Sequence, residues 1–200
     1  DKGYYVLRMG AKAIDQMPSD HERVIDYASN GKRTDFLDIY LGAKCLFCIS
    51  TSTGFDAIPT IFRKPIVFST VPVAFIYTFS TNFLSIFKHH ISIEDNHELT
   101  LSEIFKQNLG YALATKDYED SKVVLNENTP EEIRDLSIEM LERINQKWID
   151  SKIDLELQEK SKRIFLKHLS EAQIPKVFGE NPMHGEILSL FSTTFLRKNK

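Results

Sequence analysis

The chain has 200 residues, enough for one domain of comfortable size that buries about 70% of the surface its unfolded form exposes. Its composition, 42% hydrophobic and 26% charged, is that of an ordinary globular protein and excludes a disordered or fibrous chain. With 25 basic against 28 acidic residues the net charge is −3, which excludes a general attraction to nucleic acid or anionic membrane; any bound anion must be held by a local site.

Tyr4-Tyr5-Val6-Leu7 is a short β-rich run that ends at Arg8-Met9-Gly10, where glycine permits a turn. The chain starts at Asp1 with no lead-in to this run, so a natural N-terminal part is expected to be missing. A polar loop with Pro18, Ser19 and Asp20 leads to a second apolar run, Val24-Ile25-Asp26-Tyr27-Ala28, closed by Ser29-Asn30-Gly31. Thr34 has the character of an N-cap, and Phe36, Leu37, Ile39, Tyr40 and Leu41 wrap a short helix ending near Gly42.

Cys45 to Ser50 reads as a third strand, Thr51-Ser52-Thr53-Gly54 as a small-residue turn, Phe55 to Phe62 as a short helix despite Pro59, and Pro65 to Phe68 as a fourth strand. Cys45 and Cys48 form a C-x-x-C pair, but no second Cys/His pair follows, and residues three apart on a strand point to opposite faces. Core packing and a reduced, cytoplasmic chain follow. The uncharged stretch Pro65 to Phe87 is long enough to cross a bilayer, yet it carries Pro65, Pro72 and polar residues such as Ser69, Thr70, Asn82 and Ser85. A buried strand, a loop and an apolar helix is the better reading.

The second half is more helical. Thr100-Leu101-Ser102-Glu103 and Thr129-Pro130-Glu131-Glu132 have capping-box spacing, the latter with proline at the first helical position. Ile133, Leu136, Met140, Ile144 and Trp148 recur at helical spacing behind it. Further helices are expected from about Leu155 to Leu169, with Ile164, Phe165 and Leu169 inward, and from Glu186 to Leu196. Short apolar runs alternating with helical ones are the signature of parallel βαβ units. The expected fold is therefore α/β: one Rossmann-like domain over 1–200 with an open, mostly parallel sheet, on which the helices of about 130–200 pack.

Chemistry is expected where strand turns to helix at Ser50-Thr51-Ser52-Thr53-Gly54. Small residues let a phosphate approach the unpaired amides of a helix start, and the hydroxyls of Ser52 and Thr53 add donors; alternatively one of them only caps the helix. In an open parallel sheet such turns lie at the carboxyl edge, where ligands bind. Arg8 ends the first strand on that edge and is suited to two-point pairing with a diphosphate, or is a surface arginine. Asp26 and Tyr27 end the second strand, suited to hydrogen bonding and stacking on a nucleoside, or to the ordinary roles of turn aspartate and core tyrosine. Asp56 either reaches a ribose hydroxyl or complements the helix dipole. His89-His90 and the isolated histidines give no metal-ligand pattern, so neither metal nor cofactor is expected.

These residues carry a family likeness. Tyr5-Val6-Leu7-Arg8-Met9-Gly10, Val24-Ile25-Asp26-Tyr27-Ala28 and Thr34-Asp35-Phe36-Leu37-Asp38-Ile39-Tyr40-Leu41 resemble segments of bacterial proteins assigned as glycosyltransferases and linked to surface polysaccharides. So do Ile49-Ser50-Thr51-Ser52-Thr53-Gly54-Phe55-Asp56-Ala57-Ile58-Pro59, Phe62-Arg63-Lys64-Pro65, Glu127-Asn128-Thr129-Pro130-Glu131-Glu132-Ile133 and Phe195-Leu196-Arg197-Lys198-Asn199. The resemblance covers most of the chain in order and spacing. It implies a GT-B-like enzyme, of which this chain is the C-terminal, donor-binding half, with an N-terminal acceptor domain outside it. Ser52, Thr53 and Gly54 would then cradle the donor diphosphate, Asp56 would contact the ribose, and Lys64-Pro65 would open the next strand. The chain departs from related turns in having one glycine and one acid where those often have pairs.

The implied activity is sugar transfer from a nucleotide-diphosphate donor to a glycan acceptor, with Arg8 and the turn amides stabilising the leaving diphosphate. The nucleotide sugar is the substrate, nucleic acid is no partner, and placement is cytoplasmic, with at most weak association at the inner membrane face. Two rival expectations are a nucleotide-sugar epimerase of related fold and a non-catalytic docking module.

Overall fold

A computed structural model of the chain describes residues 2–70, 73, 82–171 and 189–199. They fall into two compact units, Asp1–Cys48 with Thr53–Lys64, and Ile49–Ser52 with Pro65–Lys200.

In the first unit β1 (Val6–Leu7) pairs in parallel with β2 (Val24–Ile25), in the register Val6↔Val24 and Leu7↔Ile25. Backbone bonds extend the pairing, Arg8 N to Ile25 O at 3.0 Å and Ala28 N to Arg8 O at 2.9 Å. Helix α1 (Asp35–Lys44) starts where expected: the Thr34 hydroxyl accepts the Leu37 amide at 3.1 Å, with Asp35 and Asp38 in the first turn. A 3₁₀ turn (Gly54–Asp56) runs into α2 (Ala57–Ile61). Helices α1 and α2 pack at Gly42, where an added Cβ would stand 2.7 Å from Ile58 Cγ2, so only glycine permits their approach.

The second unit is built on a four-stranded sheet in the order β3-β4-β5-β8: β3 (Cys48–Ser50), β4 (Ile66–Thr70), β5 (Phe83–Phe87) and β8 (Leu190–Phe191). β4 and β5 run parallel from Ile66↔Phe83 to Thr70↔Phe87, and β8 adds in parallel at Leu84↔Leu190. A two-stranded antiparallel ladder joins β6 (His89–Ser92) to β7 (Val123–Asn126). Around these lie α3 (Leu101–Lys106), α4 (Thr115–Asp120), α5 (Pro130–Ile144), α6 (Lys152–Glu171) and α7 (Thr193–Lys198). This is the α/β class expected, a Rossmann-like open, mostly parallel sheet flanked by helices. No helix among the described residues is long and apolar enough to cross a membrane.

Ile66, Val67, Leu84, Ile86 and Phe87 are all buried, so β4 and β5 are covered on both faces. Helix α5, whose Leu136 and Met140 are buried, packs against both strands, and the rings of Phe191 and Phe195 meet Phe87 edge-on at 5.7 and 5.0 Å. The capping boxes at Thr100 and Thr129 are both formed. The inward expectation for α6 holds at Phe165, while Ile164 is half-buried and the Leu169 side chain lies outside the described residues.

Three expectations are corrected. Residues 83–87, expected in an apolar helix, form β5; a run buried on both faces does not alternate, and so carries no strand period. Residues 71, 72 and 74–81 of that stretch lie outside the described residues. The helix expected from Glu186 to Leu196 is instead β8, then α7 capped by the Ser192 hydroxyl, with 186–188 outside the described residues. Helix α5 stops at Ile144, with Asn145 as its C-cap and Gln146 at φ 56°, so Trp148 is not on its face.

Candidate functional site

The paired ends of β1 and β2 bring Arg8 and Asp26 together. Arg8 Nε stands 2.9 Å from Asp26 Oδ1, an ionic contact without a straight hydrogen bond, and Nη2 donates to Asp15 O at 2.6 Å. Asp26 Oδ2 accepts from Ser29 Oγ at 2.6 Å and from the Met17 amide at 2.9 Å. Those two bonds, and then Arg8, hold its carboxyl below the ordinary carboxylate value. Asp26 thus organises two loops, and the Arg8 side chain keeps an exposure of 26%. Tyr27 is 4% exposed, and its hydroxyl accepts the Thr34 amide at 3.1 Å and donates to Thr34 O at 3.4 Å. That is the core placement; no face of the ring is open for stacking.

The bend after β3 is different, because Thr51, Ser52, Thr53 and Gly54 are all exposed. Ser52 sits in the left-handed region at φ 62°, and its amide donates to Ser50 Oγ at 3.0 Å. Thr53 stands before the 3₁₀ turn in extended conformation with no side-chain capping bond, and Thr53 O accepts the Asp56 amide at 3.1 Å. The first amides of a helical segment have no acceptor within it. A Cβ on Gly54 would meet nothing within 4 Å, so packing does not demand glycine there, and the space above its backbone is open. Asp56 is half-buried, precedes α2 without capping it, and its carbonyl accepts Thr60 Oγ1 at 2.7 Å. Since α2 has only five residues, its dipole is small, and attraction for an anion rests on individual amides and hydroxyls.

A second hydroxyl-rich turn, Ser192-Thr193-Thr194, follows β8 at the same edge of the sheet and was not singled out in the sequence. Here the anion is built in. Glu139 of α5 is fully buried. Its Oε2 accepts from Ser192 Oγ at 2.7 Å and from the amide and hydroxyl of Thr194 at 3.4 Å each. Its Oε1 accepts from the amide and hydroxyl of Thr193 at 3.2 Å each, and from Nε and Nη2 of Arg143 at 3.1 and 2.9 Å. Arg143 continues to Asp150 at 2.6 Å, and Asp154 pairs with Arg197 at 2.5 Å. The signal for this network was legible: a glutamate flanked by Leu136 and Met140 on the apolar stripe of a helix must find partners, and Arg143 stands four residues on.

His89 lies between two carboxylates, Nδ1 2.5 Å from Glu98 Oε1 and Nε2 2.9 Å from Glu132 Oε2. Both raise its pKa against the desolvation that lowers it. His90 is fully buried, and burial pushes its pKa down to about 4. Cys45 Sγ donates to Gly42 O at 3.2 Å, and burial pushes the Cys48 thiol up to about 12. Neither thiol is a thiolate at neutral pH. Among the described residues no group of three His, Cys, Asp or Glu could hold a metal ion.

The geometry thus joins Arg8 to Asp26, places Tyr27 in the core, and leaves the bend at Ser52, Thr53 and Gly54 at the surface. Comparison of the chain with protein-family models, with curated proteins and with solved structures finds no match in any of the three.

Proposed function

We propose that this chain is the nucleotide-sugar-binding domain of a glycosyltransferase that moves a sugar from a nucleotide-diphosphate donor to a glycan acceptor. One observation carries the reading: a hydroxyl- and glycine-bearing bend, exposed at the carboxyl end of a strand in a parallel sheet, and leading into a helical turn. The equivalent turn after β8 holds Glu139, so the same chemistry elsewhere on the edge already carries its anion. As the sugar leaves, its anomeric carbon becomes cation-like and charge grows on the diphosphate. Amides and hydroxyls of the bend, fixed before reaction, stabilise that charge. The base that takes the acceptor's proton belongs, on this reading, to a separate acceptor-binding domain.

The test is a melting-shift screen of nucleotide diphosphates and their sugars on the native chain, on Gly54→Val and on Arg8→Ala. A bound ligand raises the melting point by mass action, by about 2.7 kcal/mol of stability at a hundredfold excess over Kd. Gly54→Val, whose side chain enters open space, should abolish the shift while leaving the unliganded melting point near native. Arg8→Ala asks separately whether the guanidinium contributes beyond its pairing with Asp26. A shift that survives Gly54→Val would remove the bend from the reading.

The docking-module reading has its own support. Phe36, Ile39 and Tyr40 on α1 are 72, 50 and 48% exposed, and the rings of Phe36 and Tyr40 stack at 5.9 Å. If no nucleotide diphosphate shifts the melting point, that reading takes precedence.

A further inference from the structure

We propose that the excursion Ile93–Glu98 between β6 and the capping box of α3 is a pH-gated arm, latched by His89 held between Glu98 of the arm and Glu132 of α5. The inference is independent of donor binding.

An imidazole touching a carboxylate at each nitrogen must donate from both, which only the protonated ring can do; the neutral ring has one N–H. The two carboxylates are not equivalent. Glu132 also accepts the Thr129 amide at 2.9 Å and Asn128 Nδ2 at 3.5 Å, and its side chain is 11% exposed. Glu98, at 41%, reaches water readily. When the ring loses a proton, the remaining N–H stays with Glu132, and Glu98 faces a lone pair and turns to solvent. The arm then keeps its backbone bonds, among them Ser92 N to His97 O at 2.9 Å, Leu99 N to His90 O at 2.8 Å and Ile93 N to Lys122 O at 2.9 Å, and the solvent-exposed pair of Glu94 with Lys122, which is worth little in water.

Other groups facing His89 do not compensate. His90, next along β6, is neutral near pH 7, and Asn126, opposite on β7, is uncharged. Helix α7 offers the Phe195 ring at 6.2 Å, while its Lys198 turns to Asp135. Neighbouring Lys88 is paired with Glu127. Within the arm His97 pairs with Asp95 at 2.7 Å and with Glu103 at 3.8 Å, so it loosens in the same direction. A histidine whose folded value is raised contributes fully below its unfolded value of 6.5, and its contribution is lost as pH rises through the folded value. The arm is latched on the acid side and released on the alkaline side, uncovering Glu132 and the start of α5.

Amide hydrogen exchange of Asn96 and Leu99, corrected for intrinsic rates, tests this between pH 6 and pH 9, alongside NMR titration of the His89 ring. Native protein should lose protection several-fold across the range. In Glu98→Gln, whose amide can pair with either form of the ring, the loss should shrink to the smaller part that exposed His97 contributes, and the His89 pKa should fall. His97→Asn should keep the step. Constant protection in native protein, a His89 ring titrating at or below 6.5, or a step that survives Glu98→Gln but vanishes in His97→Asn, overturns the proposal.

Discussion

Replacing Glu139 by alanine removes a fully buried carboxylate that accepts from both hydroxyl and amide of Thr193 and of Thr194, from Ser192 Oγ, and twice from Arg143. The buried hydroxyls and the Thr193 amide lose an acceptor, and Arg143 is left with Asp150 alone. Breaking a buried pair by deleting one partner costs about 3–5 kcal/mol, mostly the penalty of what remains unpaired. Glu139→Gln keeps shape and one acceptor but loses the charge, and should cost roughly 1.5–3 kcal/mol, the worth of hydrogen bonds to an ionised group. Against a total stability of roughly 5–15 kcal/mol either change is large. For a chain of this size the alanine variant should melt about 6–20 °C lower. Trp148, the single tryptophan, is a convenient reporter: its Nε1 donates to Asp150 at 3.0 Å, and the Arg143 guanidinium lies 5.3 Å from the ring centre. Urea unfolding followed by its fluorescence reads the network directly. A loss below about 1 kcal/mol in Glu139→Ala would refute the reasoning, and would mean that the turn after β8 does not need its internal anion.

Two further perturbations follow from packing and charge. Asp154 is fully buried; Arg197 first, and then the Ser151 amide, hold its carboxyl well below the ordinary 3.8. Its contribution is therefore present above 3.8 and is lost as pH falls below it, so the acid limb of a stability–pH curve should be shallower in Asp154→Asn. At neutral pH that variant should cost about 1–3 kcal/mol, discounted because Arg197 is half exposed; an unchanged acid limb counts against the pairing. Gly110→Ala would set a Cβ 2.3 Å from Cδ1 and Cε1 of Phe105, a ring 3% exposed and surrounded by Tyr111, Phe165 and His168. With no room to swing, the ring should impose about 1–3 kcal/mol, read as a lower urea midpoint, and a neutral substitution would show that the ring can move.

Local chemistry made much of this fold legible. The caps at Thr34, Thr100 and Thr129 each rest on residues within one turn of the helix start, so reading them requires no tertiary knowledge. Strands β5 and β8 were not legible for the opposite reason. β5 carries no polar–apolar alternation because both its faces are covered, its one polar residue, Ser85, being buried with its apolar neighbours, and β8 is two residues long, held by Gln158, whose side chain donates to Phe191 O at 2.6 Å and accepts the Phe191 amide at 3.2 Å from 33 residues away. The pairing of Arg8 with Asp26 lay between these cases. Each residue ends a short β run, and once Leu7 faces Ile25 in parallel, opposite charges one position on must meet. The step missing from the sequence reading was register.

Two turns of nearly the same composition, Thr51-Ser52-Thr53-Gly54 and Ser192-Thr193-Thr194, leave strands of one parallel sheet, and composition alone cannot rank them as anion sites. What separates them is the source of the negative charge. After β8 it comes from within the fold, along a helix whose apolar stripe is interrupted by Glu139, and Arg143 balances it. A diphosphate arriving there would meet a like charge and find its donors taken. After β3 the hydroxyls of the bend are at the surface, Thr53 makes no capping bond, and Gly54 stands under open space that no packing reason requires. A charged residue inside a buried stripe therefore tells a reader which donor-rich turns are already filled. Setting those aside makes the exposed bend the one to probe with a nucleotide diphosphate.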